Sequence, residues 1–310
     1  MGTFTLACVV QPTAWSLCAL VASAGVEAAE PSTDSPTLAY IEMVKAKNVR
    51  YAGNTALVSF DDGEQVPVIK FNGPAGYDVA GPLAEEYETL ERAASTRAEV
   101  ASALANALRA CQAAPISQEA IDEETVRIRR SGPVLGEGPQ PTLDERVKRT
   151  VEVGSYLLKF CEGVTSEQKE RADFWLAKAA ELGDPIAALN YAERLGDAPE
   201  AFPLLEAAWR AGEADALAAL ARLYRQGQST PPFRDPDRVK AYTHQYLYVR
   251  LMEGMSPTTT KMGRIRSRWL AAARADLETM QRDLRPGEQV SAVAQAKAML
   301  KANANCCQPL

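Results

Sequence analysis

The amino-acid sequence predicts an all-α fold of the solenoid kind, with a small β-hairpin near the N-terminus. Two segments align without a gap, so that Gly183 matches Gly212 at an offset of 29 positions. In both segments, small or large apolar residues stand 4, 8, 9 and 12 positions after the glycine, which is the spacing of one helix face. Aromatic residues make up only 7% of the chain, while alanine is abundant in the helical patterns. These observations indicate repeated short helices that pack closely through small side chains.

The residues of each repeat unit explain how it folds. A helix with an apolar face ends at Gly183, and glycine readily adopts the left-handed conformation that stops a helix. Asp184 and Pro185 then suit the N-cap and the first turn of a second helix. A helix pair this short cannot bury its own apolar faces, so we expect it to stack on neighbouring pairs.

The motif Ala-Ala-x-x-Gly, followed by an alanine-containing helix pattern and a second glycine, resembles the repeats of the Sel-one-like family, relatives of the tetratricopeptide repeats. The resemblance covers residues 166–250, and Leu284–Glu288 is similar to the closing helix turn of such arrays. It implies a right-handed α-solenoid of stacked antiparallel helix pairs. Members of this family serve as scaffolds, regulators and neutralisers of toxic effectors, so the resemblance also implies that the chain binds a protein.

A third, degenerate copy of the repeat precedes these two. Val100, Leu104, Ala105 and Leu108 occupy the same offsets, but Thr96 stands where the glycine belongs. Without that glycine, we expect the first helix of this copy to run on as one longer helix.

An insert at roughly 111–165 separates the degenerate copy from the two clear repeats. It contains a loop rich in glycine and proline, Ser131–Pro141. A helix then begins with the capping-box sequence Thr142–Glu145, in which a threonine is followed three residues later by a glutamate.

Residues 48–71 have a different pattern, which predicts a β-hairpin. Two runs rich in β-branched and aromatic residues, Leu57–Phe60 and Val66–Phe71, flank the turn sequence Asp61–Gly63. Pro67 favours an edge strand because proline has no N–H to donate to a ladder. A hairpin alone is marginally stable, so we expect this one to pack on the helices or on a partner.

The N-terminal segment predicts export. Residues 4–26 carry no charge, and small residues offer cleavage sites at Ala22–Ala24 and Val26–Ala28, an order typical of a signal peptide. Met1–Thr3 lacks the usual lysine or arginine, and the alternative is an uncleaved membrane anchor facing the periplasm. We therefore predict a periplasmic chain with a signal peptide at 1–28. The predicted domains are an N-terminal segment with the hairpin at 29–81, the degenerate repeat with its insert at 82–165, and the repeat array with a C-terminal helical cap at 166–310.

Four cysteines remain after the predicted cleavage, and an oxidising compartment favours disulfides. Cys111 and Cys161 each end a predicted helix. A bridge between them closes a loop of about fifty residues and contributes about 3–4 kcal/mol in the chain-entropy picture. Zinc binding is a weak alternative, because the spacing is not Cys-x-x-Cys and no histidine is near. Cys306 and Cys307 stay free, pair with other chains, or form a vicinal bridge.

The sequence shows no catalytic constellation. It contains no Gly-rich phosphate loop, no Gly-x-Ser-x-Gly and no His-Glu-x-x-His, and its single histidine is His244. A net charge of −6 gives no general attraction for nucleic acid. We therefore expect a protein that is not an enzyme, with no cofactor, metal, nucleic acid or small-molecule substrate, and no membrane insertion after cleavage. The alternative is a cell-envelope enzyme or cell-wall-remodelling factor with a site in the insert or hairpin region.

Four residues are predicted to bind the protein partner. Tyr242, Tyr246 and Arg250 lie on one predicted helix, and exposed aromatic and arginine residues are favoured anchors on the concave surface of stacked helix pairs. Trp209 replaces Ala180 of the neighbouring unit, so it either fills space between helices or projects outward. Core packing is the alternative for all four. The partner's identity, and the choice between scaffold, regulator and immunity-type neutraliser, stay open.

Overall fold

The computed structural model describes residues 35–71, 79, 81–132, 141–227, 235–254 and 261–303. The predicted signal peptide at 1–28 lies outside these residues, as do Cys306 and Cys307. The described part is mostly helical, with one antiparallel sheet of two strands, which confirms the all-α class. None of the helices in these ranges combines the length and the apolar character needed to cross a membrane.

The elements of the described part follow one another in this order: α1 (Pro36–Tyr51), β1 (Ala52–Ser59), β2 (Gln65–Phe71), α2 (Leu83–Ala94), α3 (Ala98–Gln112), α4 (Gln118–Ser131), α5 (Leu143–Phe160), α6 (Ser166–Glu170), α7 (Ala172–Glu181), α8 (Pro185–Leu195), α9 (Ala201–Arg210), α10 (Asp215–Gln226), α11 (Arg238–Gly254), α12 (Lys261–Arg282) and α13 (Pro286–Ala302).

The helices pack in an order that largely follows the chain. Helix α2 contacts α3, α3 contacts α7, and each helix from α7 to α10 contacts the next one. Helices α12 and α13 both pack on α11, while α4 and α5 pack mainly on each other. A continuous apolar core runs through the fold from Leu38 of α1 to Leu300 of α13.

The turn of the first clear repeat has the predicted conformation. Gly183 has φ +95° and Gly212, at the equivalent position of the next repeat, has φ +101°, a region that residues with a side chain rarely adopt. Asp184 caps α8 by accepting a hydrogen bond from the Ala187 N–H at 2.7 Å, and Pro185 is the first residue of the helix. The sequence pattern therefore locates both helix stops correctly.

The degenerate copy differs from its prediction, because its first helix does not run on. Helix α2 ends at Ala94 and α3 begins at Ala98, after Arg97 with an extended φ of −120°. The Ser95 hydroxyl donates to the Arg92 carbonyl at 2.7 Å, and the Thr96 hydroxyl donates to the Ala93 carbonyl at 3.5 Å. Hydroxyl side chains that bond to the last carbonyls in this way compete with helix continuation, so a helix break forms here without glycine.

The insert forms a helical hairpin of α4 and α5. The predicted capping box at the start of α5 is present, with Thr142 and Glu145 bonded reciprocally. The two helices approach closely where Ile121, which is buried, faces Gly154; a Cβ atom at residue 154 would lie 3.0 Å from Ile121 Cγ1. The predicted disulfide between Cys111 and Cys161 is present, with their Cα atoms 5.4 Å apart, and it ties the end of α5 to the end of α3.

The β-hairpin is confirmed, and the helices cover its inner face. Leu57 lies opposite Pro67 in the antiparallel register. Val58, Phe60 and Val66 are buried, and β1 contacts α11. The expectation that the hairpin packs on helices or on a partner is therefore met within the chain.

The acidic turn of the hairpin, Asp61–Glu64, holds it against two distant helices. The Asp61 carboxylate accepts hydrogen bonds from Tyr246 and Arg250 of α11. The carboxylates of Asp62 and Glu64 pair with Lys297 of α13. These contacts position the hairpin over the side of α11 that carries Tyr246.

Candidate functional site

A groove of about 1120 Å³ lies between helices α8, α10, α11 and α12. Its lining residues recur at three- and four-residue intervals along α8, α10 and α12, so each helix contributes one face. The lining consists of Ile186, Leu189, Asn190, Glu193, Glu213, Asp215, Ala218, Ala219, Arg222, Arg225, Gln226, Gln245, Tyr248, Trp269, Ala272, Ala273, Asp276 and Met280.

Small side chains create the depth of the groove. Ala218 and Ala219 lie on the face that α10 presents to it, and Ala272 and Ala273 lie on the facing part of α12. Alanine leaves space between helices where a larger residue would fill it. The groove therefore follows from the same abundance of alanine that allows these helices to pack closely.

Trp269 is the exposed aromatic residue of the groove wall. Its accessible fraction is 48%, whereas Trp175 and Trp209 keep only 3% and 6%. Gln245 of α11 fixes the wall by donating its amide N–H to the Ala273 carbonyl of α12 at 2.9 Å. A large aromatic side chain held at a concave surface is the residue type that most often anchors a protein partner.

The charges of the groove are predominantly negative. Glu193, Glu213, Asp215 and Asp276 supply four carboxylates, against the guanidinium groups of Arg222 and Arg225. One cation is already engaged, because Arg222 pairs with Glu193 at 3.6 Å.

Glu213 is the most unusual of these carboxylates, because it retains only 2% of its accessible surface. It occupies the repeat position of Asp184. Its longer side chain accepts a hydrogen bond from the Asp215 N–H at 3.5 Å and does not cap α10. Burial, followed by the negative charge of Asp215 and then of Asp184, raises the pKa of Glu213 from 4.5 to about 7.

The groove lining carries its charges on carboxylates and guanidinium groups. Its described residues include no serine, cysteine or histidine that would act as a nucleophile or as an imidazole base. His244 lies elsewhere on α11, buried, with its Nδ1 atom 2.7 Å from the Lys240 carbonyl oxygen, and burial lowers its pKa. Within the described residues, no group of three histidine, cysteine or acidic side chains is placed to hold a metal ion.

The four residues predicted to bind a partner lie away from this groove. Trp209, Tyr242 and Tyr246 are buried, so core packing describes their side chains in this structure. Tyr246 donates to Asp61 at 2.9 Å, and Arg250 pairs with Asp61 as well as with a carboxylate of its own helix. The hairpin therefore contacts Tyr246 and Arg250, and the partner-binding role of the four residues stays a prediction.

Sequence reasoning missed the groove because it looked to Trp209 and to the aromatic and arginine residues Tyr242, Tyr246 and Arg250. The groove instead uses the faces of α8 and α10, the second helices of the two clear repeats, together with α12. A usable pattern was present on α12, where Trp269 is followed at helical spacing by Ala272, Ala273 and Asp276. A large aromatic residue that shares a helix face with small apolar residues indicates a face that packs against another surface.

The fold and the groove define a mostly helical protein with an acidic, partly apolar groove. Comparison with known proteins adds no family to this description: no family model, no curated protein and no solved structure matches the chain.

Proposed function

We propose that this chain is an exported, non-catalytic helical repeat protein that binds a protein partner in the groove between α8, α10, α11 and α12. The observation that carries the proposal is the exposed Trp269 on the wall of a groove of about 1120 Å³. Binding pockets for small ligands measure roughly 300–1,000 Å³, so this groove is large enough for a short segment of a protein.

A solenoid of the Sel-one-like kind is the arrangement that we propose for the helices. Its support is the order of contacts from α7 to α11, in which each helix packs on its successor. The equivalent left-handed glycines Gly183 and Gly212 give further support. Stacked pairs of this type form extended surfaces that suit partner binding.

Export to the periplasm is also part of the proposal. The disulfide between Cys111 and Cys161 supports it, because such bonds persist in oxidising compartments. The uncharged stretch of residues 4–26 supports a signal peptide or, as the alternative, a membrane anchor facing the periplasm.

A pull-down with matched variants tests the proposed function. The chain without residues 1–28 serves as bait in a periplasmic extract, beside Trp269→Ala and the control Phe174→Ala. Phe174 is an exposed aromatic residue, 55% accessible, on α7 and outside the groove. We expect one stoichiometric partner in mass spectrometry that the Trp269 variant loses and the Phe174 variant keeps.

A second variant tests whether the partner binds in the groove or on the surface under the hairpin. Ala219→Trp fills the groove, and we expect it to remove the partner as well. Retention of the partner by both groove variants, or turnover of a substrate by the purified chain without any partner, contradicts the proposal.

A further inference from the structure

We infer that the part of α11 and α13 that contacts the hairpin turn is a second binding surface, which takes an acidic segment with an aromatic residue from a protein partner. The acidic turn of the hairpin occupies this surface as an internal ligand. The surface, called the docking face below, consists of Tyr246, Arg250, Lys297 and Lys301. All four residues lie outside the groove lining, so the inference goes beyond the proposed function.

The docking face holds an aromatic ring. Phe60, which precedes the acidic turn, stacks on Tyr246 with the two ring centroids 6.2 Å apart. The Lys297 ammonium lies 5.2 Å from the centroid of the Phe60 ring. Stacking on a second ring and contact with a cation both favour an aromatic residue over an aliphatic one at this position.

The cations of the docking face match the carboxylates of the turn. Arg250 pairs with Asp61. The Nζ atoms of Lys297 and Lys301 lie 3.1 Å and 2.6 Å from the two carboxylate oxygens of Glu64. A face that brings three cations together in this way selects an acidic segment by charge complementarity.

The turn uses only part of what Arg250 offers. Its Nη2 atom donates to Asp61, and its Nη1 atom donates to Glu253 of the same helix at 2.8 Å. Its Nε atom is buried and has no hydrogen-bond acceptor in the part of the chain that the structure describes. Because an arginine holds a carboxylate best through two parallel bonds, a partner carboxylate that also accepts from Nε would bind Arg250 better than Asp61 does.

Water and salt reach the ion pairs that hold the turn. The side chains of Asp61, Asp62 and Glu64 keep 64%, 61% and 38% of their accessible surface. Ion pairs this exposed are weak and are screened by salt, and a hairpin of two strands is marginally stable by itself. The turn is therefore able to leave the docking face by local opening while the helices stay folded.

Release of the turn is measured by amide hydrogen exchange. A triple variant, Asp61→Asn/Asp62→Asn/Glu64→Gln, removes the charges of the turn with little change in shape. We expect exchange in residues 58–66 to be about tenfold faster than in the parent chain, the scale for three exposed ion pairs, and exchange in α7–α10 to be unchanged.

Salt gives a measurement that needs no variant. Raising the NaCl concentration from 0.1 M to 1 M shortens the screening length from about 10 Å to about 3 Å. The same amides of the parent chain should then exchange faster, a result that is available even if the triple variant does not fold.

Two labelled synthetic peptides test the chemistry of the ligand, with binding followed by fluorescence anisotropy. One copies residues 57–66, and the other has asparagine and glutamine in place of its acidic residues. In the parent chain the tethered turn competes at an effective concentration in roughly the millimolar range. We therefore expect the triple variant to bind the acidic peptide about tenfold more tightly than the parent chain, and neither chain to bind the neutral peptide.

Two arginine variants, each added to the triple variant, locate the site of binding. Arg250→Gln should weaken binding of the acidic peptide about tenfold or more, because it removes one partner of a charge pair. Arg210→Gln is the matched control, since Arg210 pairs with Glu206 of its own helix α9 at 3.1 Å, and it should leave the affinity unchanged.

Exchange in residues 58–66 that stays the same both in the triple variant and at high salt overturns the inference. Equal binding of the two peptides, no gain of affinity in the triple variant, or an Arg250→Gln variant that binds as well as the Arg210→Gln control overturns it too. None of these results bears on the proposed function, which is tested by the Trp269-dependent capture of a partner.

Discussion

Replacing Glu213 by glutamine should make the chain more stable at alkaline pH and hardly change it at acidic pH. Glutamine resembles the protonated carboxyl in shape and carries no charge. The variant therefore removes the cost of ionising a side chain that keeps 2% of its accessible surface.

The free energy of unfolding depends on pH because burial raises the pKa of Glu213. Below pH 4.5, the ordinary value, the Glu213 carboxyl is protonated in the folded and in the unfolded chain. Between pH 4.5 and about 7 the folded chain keeps a proton that the unfolded chain has released, so the free energy of unfolding falls as the pH rises. Above about pH 7 the loss is complete.

The size of this stability difference follows from the two pKa values of Glu213, 4.5 in the unfolded chain and about 7 in the folded chain. A tenfold change in an acidity constant corresponds to about 1.4 kcal/mol, so the shift from 4.5 to about 7 amounts to about 3 kcal/mol. We expect the free energy of unfolding of Glu213→Gln to exceed that of the parent chain by about 3 kcal/mol at pH 8.

Urea unfolding at pH 5 and at pH 8, under non-reducing conditions, measures both values. Glu193→Gln is the matched control, since Glu193 lines the same groove but is exposed, and its stability difference from the parent should not change with pH. If Glu213→Gln differs from the parent chain by the same amount at both pH values, burial of a charged Glu213 is not what limits stability, and the reasoning fails.

Three further predictions concern the backbone and the disulfide. Cys161→Ser should lower the free energy of unfolding by about 3–4 kcal/mol, because it opens a loop with a sequence separation of 50; reduction of the parent chain should give the same loss in urea unfolding. Gly154→Leu should destabilise the α4–α5 hairpin by about 1–3 kcal/mol, since the new Cβ would lie 3.0 Å from Ile121 Cγ1, and hydrogen exchange should quicken there; faster exchange elsewhere instead would contradict this contact. Gly183→Ala should cost about 1–2 kcal/mol because φ is +95°, as thermal unfolding would show, whereas an alanine at Gly287, which has nothing within 4 Å of its Cβ position, should be tolerated.

Local features of this fold were predictable because the residues that form them are close together in sequence. The turn at Gly183 and Asp184 needs a glycine with positive φ and an N-cap, and both are adjacent. The capping box at Thr142 needs only a glutamate three residues on. The break between α2 and α3 was missed because Ser95 and Thr96 stop the helix through hydroxyl bonds, a weaker pattern than glycine.

Long-range features were not predictable, because no periodicity in the sequence encodes them. The contact between Asp61 and Tyr246 joins residues 185 positions apart, and either residue alone is ordinary. That contact holds Tyr246 against the hairpin, which the spacing of the tyrosines along α11 did not predict. The groove depends in the same way on how far α12 lies from α8 and α10, a distance that alanine spacing within each helix does not determine.

The acidic turn also sets an order of events during synthesis. It is made before the helices that hold it, and Lys297, which pairs with it, follows 235 residues after Asp62. At about 5–20 residues per second, the hairpin leaves the ribosome roughly ten to fifty seconds before its docking helix exists. Phe60 lacks its cover from α13 for that time, and an isolated hairpin is marginally stable. The hairpin therefore stays without its docking helix for a period that the sequence distance between the two elements sets.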